Sequence, residues 1–393
     1  MATERTLLFI IADRLSLLVS KGEMIPRYYN PGNVFTQVHL LTTSNDLVDP
    51  ALVQIMAGNA MVHVHRLWSG DDRLNMALTP LTKGRLARRA IDLARRIQPD
   101  VVRTGDGLTG FLGHAVKKSL RIPHIVSLHT QRDDGRRHIP WGAVRAMLEI
   151  EKGYARLAIT HADAVIIVYD SIRPYAESNG ARRIEKIHNV IAPEQNEPKT
   201  DYQLHAPPRI ISVGRQLERK YPTHIIDAVK STNAELLMIG DGTHHDALQR
   251  RVASQDLGAR VRLQKSMPNA EVCQMLRDHD LFAVHTDYPE FPKTVMEAMW
   301  LGLPIVINDD QAMPVPELEG DWVLRVPNTH QGYAEGFQQL FEDDVLRENL
   351  GKRARDYAQS HFDPQSTERQ QAQLYEELMK DSGSVEALVG GAR

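Results

Sequence analysis

Short, continuously apolar runs separated by segments of helix length recur along this chain, and that alternation restricts its fold more than any other feature. TLLFIIA near the N-terminus, VFTQVHLLTT (34–43), DVVRT (100–104), HIVSLHT (124–130) and AVIIVYD (164–170) form a first series. After a break the pattern resumes with RIISVGR (209–215), AELLMIGDG (234–242), RVRLQ (260–264), LFAVHT (281–286) and LPIVIND (303–309). An apolar run without polar alternation suits a parallel strand buried on both faces, and helix-length connections supply the crossovers. Two such series predict an α/β chain of two doubly wound parallel-sheet domains. The break, NVIAPEQNEPKTDYQLHAPPR (189–209), is rich in Pro, Asn and Glu and lacks periodicity, as a linker does. The expected organisation is a domain at 1–190, a linker at 191–208 and a second domain at 209–363. Residues 364–393 are expected to form a helix and tail packing back on the first domain.

With 393 residues and 42% hydrophobic content, the chain can bury two cores. No apolar run reaches the roughly 20 residues that a membrane span needs. TLLFIIA has no small-residue cleavage site after it and reads as a first strand rather than a leader. The single cysteine, Cys273, excludes an intramolecular disulfide and points to the cytoplasm. Net charge is -3, but residues 1–190 hold 26 Lys and Arg against 18 Asp and Glu, and the remainder 21 against 32. The halves, at +8 and -11, are suited to different partners. The basic residues are not interleaved with aromatics, which argues against nucleic-acid binding.

Several local patterns carry chemistry. RTGDGLTGFLG contains G-x-G-x-x-G at Gly105, Gly107 and Gly110, with Asp133 further on. A dinucleotide site is one reading, but the motif is not in the first βα unit, and a tight turn with close helix–strand packing is preferred. In ISVGRQLERKYP, Gly214 ends a strand and Arg215 and Lys220 follow, two cations suited to a diphosphate. Gly240-Asp241-Gly242 ends the next strand. His244 and His245 follow it and are expected to be solvent-exposed, since adjacent helical positions do not share a face. In PEFPKTVMEAMWLGLPIVI, Pro292 suits a first helical turn, leaving the amides of Lys293, Thr294 and Val295 as donors for sugar hydroxyls or phosphate oxygens. Glu290 and Glu297 flank that start and accept from hydroxyls; ordinary helix capping is the alternative.

In this order, VGR…K, LLMIGDG, RVRLQKSMPNAEVCQML and FPKTVMEAMWLGLPIVI resemble the C-terminal half of family 4 glycosyltransferases, retaining enzymes of the GT-B fold. HADAVIIVYDS and KIHNVI extend the resemblance, which covers roughly residues 160 to 380. It implies two Rossmann-like domains facing across a cleft. It also implies that Arg215 and Lys220 bind the donor diphosphate beside Gly214 and Asp241, and that Glu297 holds the nucleotide ribose. His129 is implied near the donor sugar. The backbone near Ser266 and Met267 would meet the base, with Phe291, Pro292, Lys293, Thr294 and Val295 completing the donor site. Two departures stand out. Pro289 occupies the place of the family's first glutamate, with Glu290 one position late. The acceptor-side loop is short, leaving Gly22 and Arg132 as its candidates.

The activity so implied is transfer of a hexose-type sugar from a nucleotide-diphosphate donor to a hydroxyl, with retention. The two cations stand where a metal would otherwise serve, so neither metal nor cofactor is expected. No D-x-D cluster is read as a metal site, and Asp133-Asp134 and Asp309-Asp310 are read as turn residues. The expected acceptor is a glycan or a lipid-linked saccharide. LTKGRLARRAIDLARRIQPD places six basic residues between Lys83 and Arg96 on a helix with an apolar stripe of Leu86, Ala90, Leu93 and Ile97. An ordinary surface helix is one reading of it, and an anionic membrane surface met through residues 83–96 the other. Two rival functions remain: a sugar-nucleotide epimerase on the same scaffold, and a non-catalytic sugar-nucleotide-binding protein.

Overall fold

The computed structural model describes residues 4–69, 72–107, 109–130, 142–191, 197–217, 220, 222–309 and 314–390, with backbone only at 72–81, 143–148 and 382–390. The chain forms two compact units, one of residues 1–190 with 364–393 and one of residues 191–363.

Among the described residues the first unit has seven strands: β1 (Thr6–Ile11), β2 (Gln37–Thr42), β3 (Met61–Arg66), β4 (Val101–Thr104), β5 (His124–Leu128), β6 (Ala164–Ile167) and β7 (Ile184–Lys186). They pair in parallel in the order β3-β2-β1-β4-β5-β6-β7. Its helices are α1 (Leu15–Ser20), α2 (Pro50–Ala57), α3 (Asp72–Ile97), α4 (Gly110–Leu120), α5 (Ala143–His161) and α6 (Arg173–Ser178). Successive side chains of a strand point to opposite faces, so β1 feeds two cores. Leu7 and Phe9 pack on the side of α2, and Leu8 and Ile10 on the side of α3 and α4.

Among the described residues the second unit has six strands: β8 (Arg209–Val213), β9 (Glu235–Ile239), β10 (Val261–Gln264), β11 (Leu281–Val284), β12 (Ile305–Asn308) and β13 (Leu324–Val326). All pair in parallel, in the order β10-β9-β8-β11-β12-β13. Its helices are α7 (Pro222–Lys230), α8 (His245–Ser254), α9 (Asn269–Arg277), α10 (Lys293–Leu301), α11 (His330–Glu342) and α12 (Asp344–His361). α13 (Pro364–Gly390) belongs to the first unit. There Glu368 accepts from Arg27 and from the amide of Gly32, and Arg103 donates to Gln371 and Tyr375.

The alternation of apolar runs thus reports the architecture, with three strands beyond those it marks. β3, MVHVHR, alternates Val with histidine, as befits an edge strand; β7 and β13 are only three residues long. The G-x-G-x-x-G segment serves packing. A Cβ on Gly110 would lie 2.5 Å from that of Ala158 on α5.

One polar cluster gives the first unit a pH dependence. His39 stacks on His63 with ring centroids 4.4 Å apart, and its Nδ1 lies 2.9 Å from Nε2 of His65. Burial, aided by both neighbours, lowers the His39 pKa to about 4. The unfolded chain takes up that proton near 6.5 and the folded one only near 4, so stability is lost as pH falls across that window. Calorimetry of His39→Gln at pH 7.5 and 4.5 should find the wild type's advantage smaller at the lower pH; an unchanged difference would exclude the linkage.

Candidate functional site

In an open parallel sheet, ligands bind beyond the carboxyl ends of the strands where the strand order reverses. In the second unit that point lies between β8 and β11, neighbours in the sheet whose connections run to opposite sides. The loop after β8 supplies Gly214, Arg215 and Lys220. These line one cavity with Val284 and His285 from the end of β11 and with Pro292 and Thr294 from the start of α10. Three separate stretches of sequence therefore meet at one strand-end position.

Lys220 is partly buried and forms an ion pair with Glu290, whose Oε1 also accepts from the Thr286 hydroxyl at 3.0 Å. Thr286 is fixed in turn by Asn308, which accepts its amide and donates to its carbonyl, both at 2.9 Å. The carboxylate displaced by one position is thereby held against the lysine, on a platform built from the ends of β11 and β12. Arg215 is exposed on the same loop. Behind Lys220 lies His285, whose Nε2 is 2.6 Å from Oδ1 of Asn328; burial lowers its pKa, so it backs the lysine as a neutral ring.

α10 begins at Lys293, with Pro292 as its extended N-cap rather than its first helical residue. This corrects the expectation for the helix start. Val295 donates its amide to the Pro292 carbonyl at 3.0 Å, and its side chain is fully buried, so it offers no donor. The amides of Lys293 and Thr294 form the open end of the helix, where negative charge is favoured. Thr294 also ties α10 to β8 by donating its hydroxyl to the Val213 carbonyl at 3.1 Å. Phe291 is buried edge-on against Phe362, so its side chain belongs to the core. Glu297 is 1% exposed and accepts from Asn269 of α9 at 3.0 Å.

The loop after β9 passes directly beneath the loop after β8. A Cβ on Gly240 would sit 1.9 Å from the Gly214 carbonyl oxygen, so only glycine fits there. Gln216 locks the two loops together. Its amide donates to the Asp241 carbonyl, its carbonyl accepts from His244, and its side-chain Oε1 lies 2.7 Å from Nδ1 of His245. His245 is therefore buried, contrary to the expected exposure. A pattern of adjacent histidines carries no information about which one faces the core. Asp241 itself is exposed and caps Gly242, and Ser266 and Met267 follow the end of β10.

The remaining predicted residues lie in the first unit or outside the described residues. His129 follows β5, its Nδ1 is 3.1 Å from Oδ1 of Asn189, and burial lowers its pKa. Gly22 is exposed after α1, with φ of 63°. Arg132, Asp133, Asp134 and Asp310 lie outside the described residues. A literal D-x-D is present after all, at Asp278-His279-Asp280. Asp280 is 1% exposed and accepts from the amides of Arg209 and His205, which makes it a structural anchor. Among the described residues, no group of three His, Cys, Asp or Glu is placed to hold a metal ion. On α3, Lys83 turns inward with its ammonium 3.6 Å from the Tyr154 ring centroid, so it is removed from the exposed basic face.

Sequence reasoning passed over Gln216, Thr286, His285 and Asn308. Each is a single polar residue at a strand end, legible only once the strand order is known. Gln216→Leu and His245→Leu should each cost about 1–3 kcal/mol in denaturant unfolding, because each strands a buried partner. The double variant should cost less than their sum; strict additivity would show that the pair is not coupled.

Two family models match the chain in series: Glycosyltransferase Family 4 over residues 36–195 and Glycosyl transferases group 1 over residues 195–357. An uncharacterized glycosyltransferase of Methanocaldococcus jannaschii is 23% identical over 273 residues, 68% of this chain and 72% of that protein. The amylovoran biosynthesis glycosyltransferase AmsK of Erwinia amylovora is 29% identical over 213 residues, 50% of this chain; the match spans 52% of that protein's length. Among solved structures, HepE of Anabaena in complex with UDP superposes with a TM-score of 0.72 at 16% identity, covering 95% of this chain and all of that one. Its UDP-glucose complex gives 0.69 at 16% identity, covering 95% and 99%. The chain has the GT-B fold, carries a glycosyltransferase group 1 region, and resembles the family 4 glycosyltransferases.

Proposed function

We propose that this chain transfers a hexose-type sugar from a UDP- or GDP-sugar to an acceptor hydroxyl, with retention at the anomeric carbon and without a metal. The observation that carries the reading is the meeting of Arg215, Lys220 and the open start of α10 at the switch point of the second sheet. A departing nucleoside diphosphate gains negative charge as the glycosidic bond breaks. A guanidinium and an ammonium on the loop after β8 can stabilise that charge.

Glu290 has two parts in this scheme. Paired with Lys220 in the free protein, it keeps the lysine positioned beside Thr286. When a diphosphate takes over the ammonium, the carboxylate becomes an acceptor for a sugar hydroxyl. Glu297 accepts from the ribose, and the backbone at Ser266 and Met267 meets the base. His129, Gly22 and Arg132 serve the sugar and acceptor side. HepE binds UDP and UDP-glucose, which supports a nucleotide sugar as donor. AmsK acts in amylovoran biosynthesis; in this reading the acceptor is a glycan or lipid-linked saccharide, reached at the inner face of the membrane.

Two experiments test this. Arg215→Ala and Lys220→Ala should each lower the rate of diphosphate release from the cognate donor by about 100-fold or more, with melting temperatures near wild type; wild-type rates would remove the mechanism. A thermal-shift panel of UDP-, GDP-, ADP- and TDP-sugars should raise the melting temperature for one nucleotide class. No shift with any of them would reject a nucleotide-sugar site. Binding without diphosphate release, even with acceptor extracts, would make the chain a binding protein instead.

A further inference from the structure

Gln216 stands on the loop after β8 between Arg215 and Lys220, and it lines the same small cavity as they do, with Pro292 and Thr294 from the start of α10. Its side chain is buried at 1% exposure. Most of its polar groups are engaged within the second unit. The backbone amide donates to the Asp241 carbonyl, the backbone carbonyl accepts from His244, and Oε1 lies 2.7 Å from Nδ1 of His245. Nε2 is the exception, buried without a hydrogen-bond partner among the described residues. A carboxamide nitrogen carries two N–H donors, and here neither has an acceptor among those residues.

Burying a donor without an acceptor costs free energy, so such a group calls for an explanation. The lining of the cavity supplies one. Arg215 and Lys220 are its cations, and no acidic side chain lines it among the described residues. An acceptor drawn there is therefore an anion's oxygen. The cavity of about 40 Å³ exceeds the ~10–15 Å³ that one water-sized atom needs, so an oxygen has room in it. His245 takes the carbonyl end of the carboxamide, which leaves the end that suits an anion. Lys220 is situated differently. It must leave Glu290 to reach a ligand, whereas Nε2 of Gln216 gives up no partner among the described residues.

We propose that Gln216 is a further donor-binding residue, its Nε2 donating to an oxygen of the nucleoside diphosphate that enters between Arg215 and Lys220. The inference rests on the diphosphate reading of this site and deepens it. Two cations attract any anion, over distances that salt screens. A neutral N–H acts only at hydrogen-bond range and angle, so Gln216 reads where the phosphoryl oxygens lie. Its side chain thus has two tasks: Oε1 joins the loops after β8 and β9 through His245, and Nε2 meets the ligand.

The test is isothermal titration of the full chain with inorganic pyrophosphate, which needs no knowledge of the nucleotide. The wild type is expected to bind. Gln216→Met keeps the length of the side chain and loses both N–H donors, and it should bind about tenfold more weakly or worse, as expected for a bond to a charged group. Gln216→Glu keeps an oxygen for His245, so it would serve a purely structural role as well as glutamine does. It also places a carboxylate where the donor stood, and it should bind more weakly than Gln216→Met. Far-UV circular dichroism checks that each variant folds, and Gln216→Glu carries the test if Gln216→Met does not. Wild-type affinity in either folded variant would overturn the proposal, showing that Nε2 meets a water or nothing, while leaving Arg215 and Lys220 in their roles. A wild type that does not bind pyrophosphate would overturn the diphosphate reading, and this inference with it.

Discussion

The candidate site depends on one adjacency, that of β8 and β11 at the centre of the six-stranded sheet. The chain leaves their carboxyl ends in opposite directions, and the space so opened is bounded by backbone ends rather than by packed side chains. Several polar contacts of the site run to one of those two strands or to the neighbours that flank them. Thr294 anchors α10 to β8, Tyr333 donates to the Val284 carbonyl at the end of β11 at 2.6 Å, and Asn308 of β12 pins Thr286. If β8 and β11 were not neighbours, Lys220 and Glu290 would have no reason to meet.

Buried polar residues keep this region in one arrangement. Burying a carboxylate or amide costs free energy that its hydrogen bonds offset, so the bonds each one makes tie its elements together. Glu297 joins α10 to α9 through Asn269, Gln216 joins two strand-end loops, and Asp280 joins the start of β8 to the segment before β11. The same rule operates in the first unit, where Arg103 on β4 reaches Ser127 on β5 and Gln371 and Tyr375 on α13. Lys83, stacked on Tyr154, shows how a basic residue in a basic run is recruited inward.

The legible part of the molecule was whatever a period or a composition expresses. Strands buried on both faces announce themselves as apolar runs, and Gly214, Arg215 and Lys220 stand where such a run ends. β3 was missed because an edge strand need not be apolar, and its histidines pack on His39 instead. His245 and Val295 were misplaced for a related reason, since sequence gives no direction for one side chain or one amide at a helix start. The partners of Glu290 and Gln216 lie across the sheet, and only strand order brings them together. Family resemblance named residues for the donor site, and geometry adds what holds them.

The most direct measurement is a crystal structure of the protein soaked with its nucleotide-sugar donor. The account predicts the diphosphate within hydrogen-bond distance of both Arg215 and Lys220, with the Lys220–Glu290 pair opened by the ligand. A donor bound elsewhere, with both side chains still in their present contacts, would contradict it.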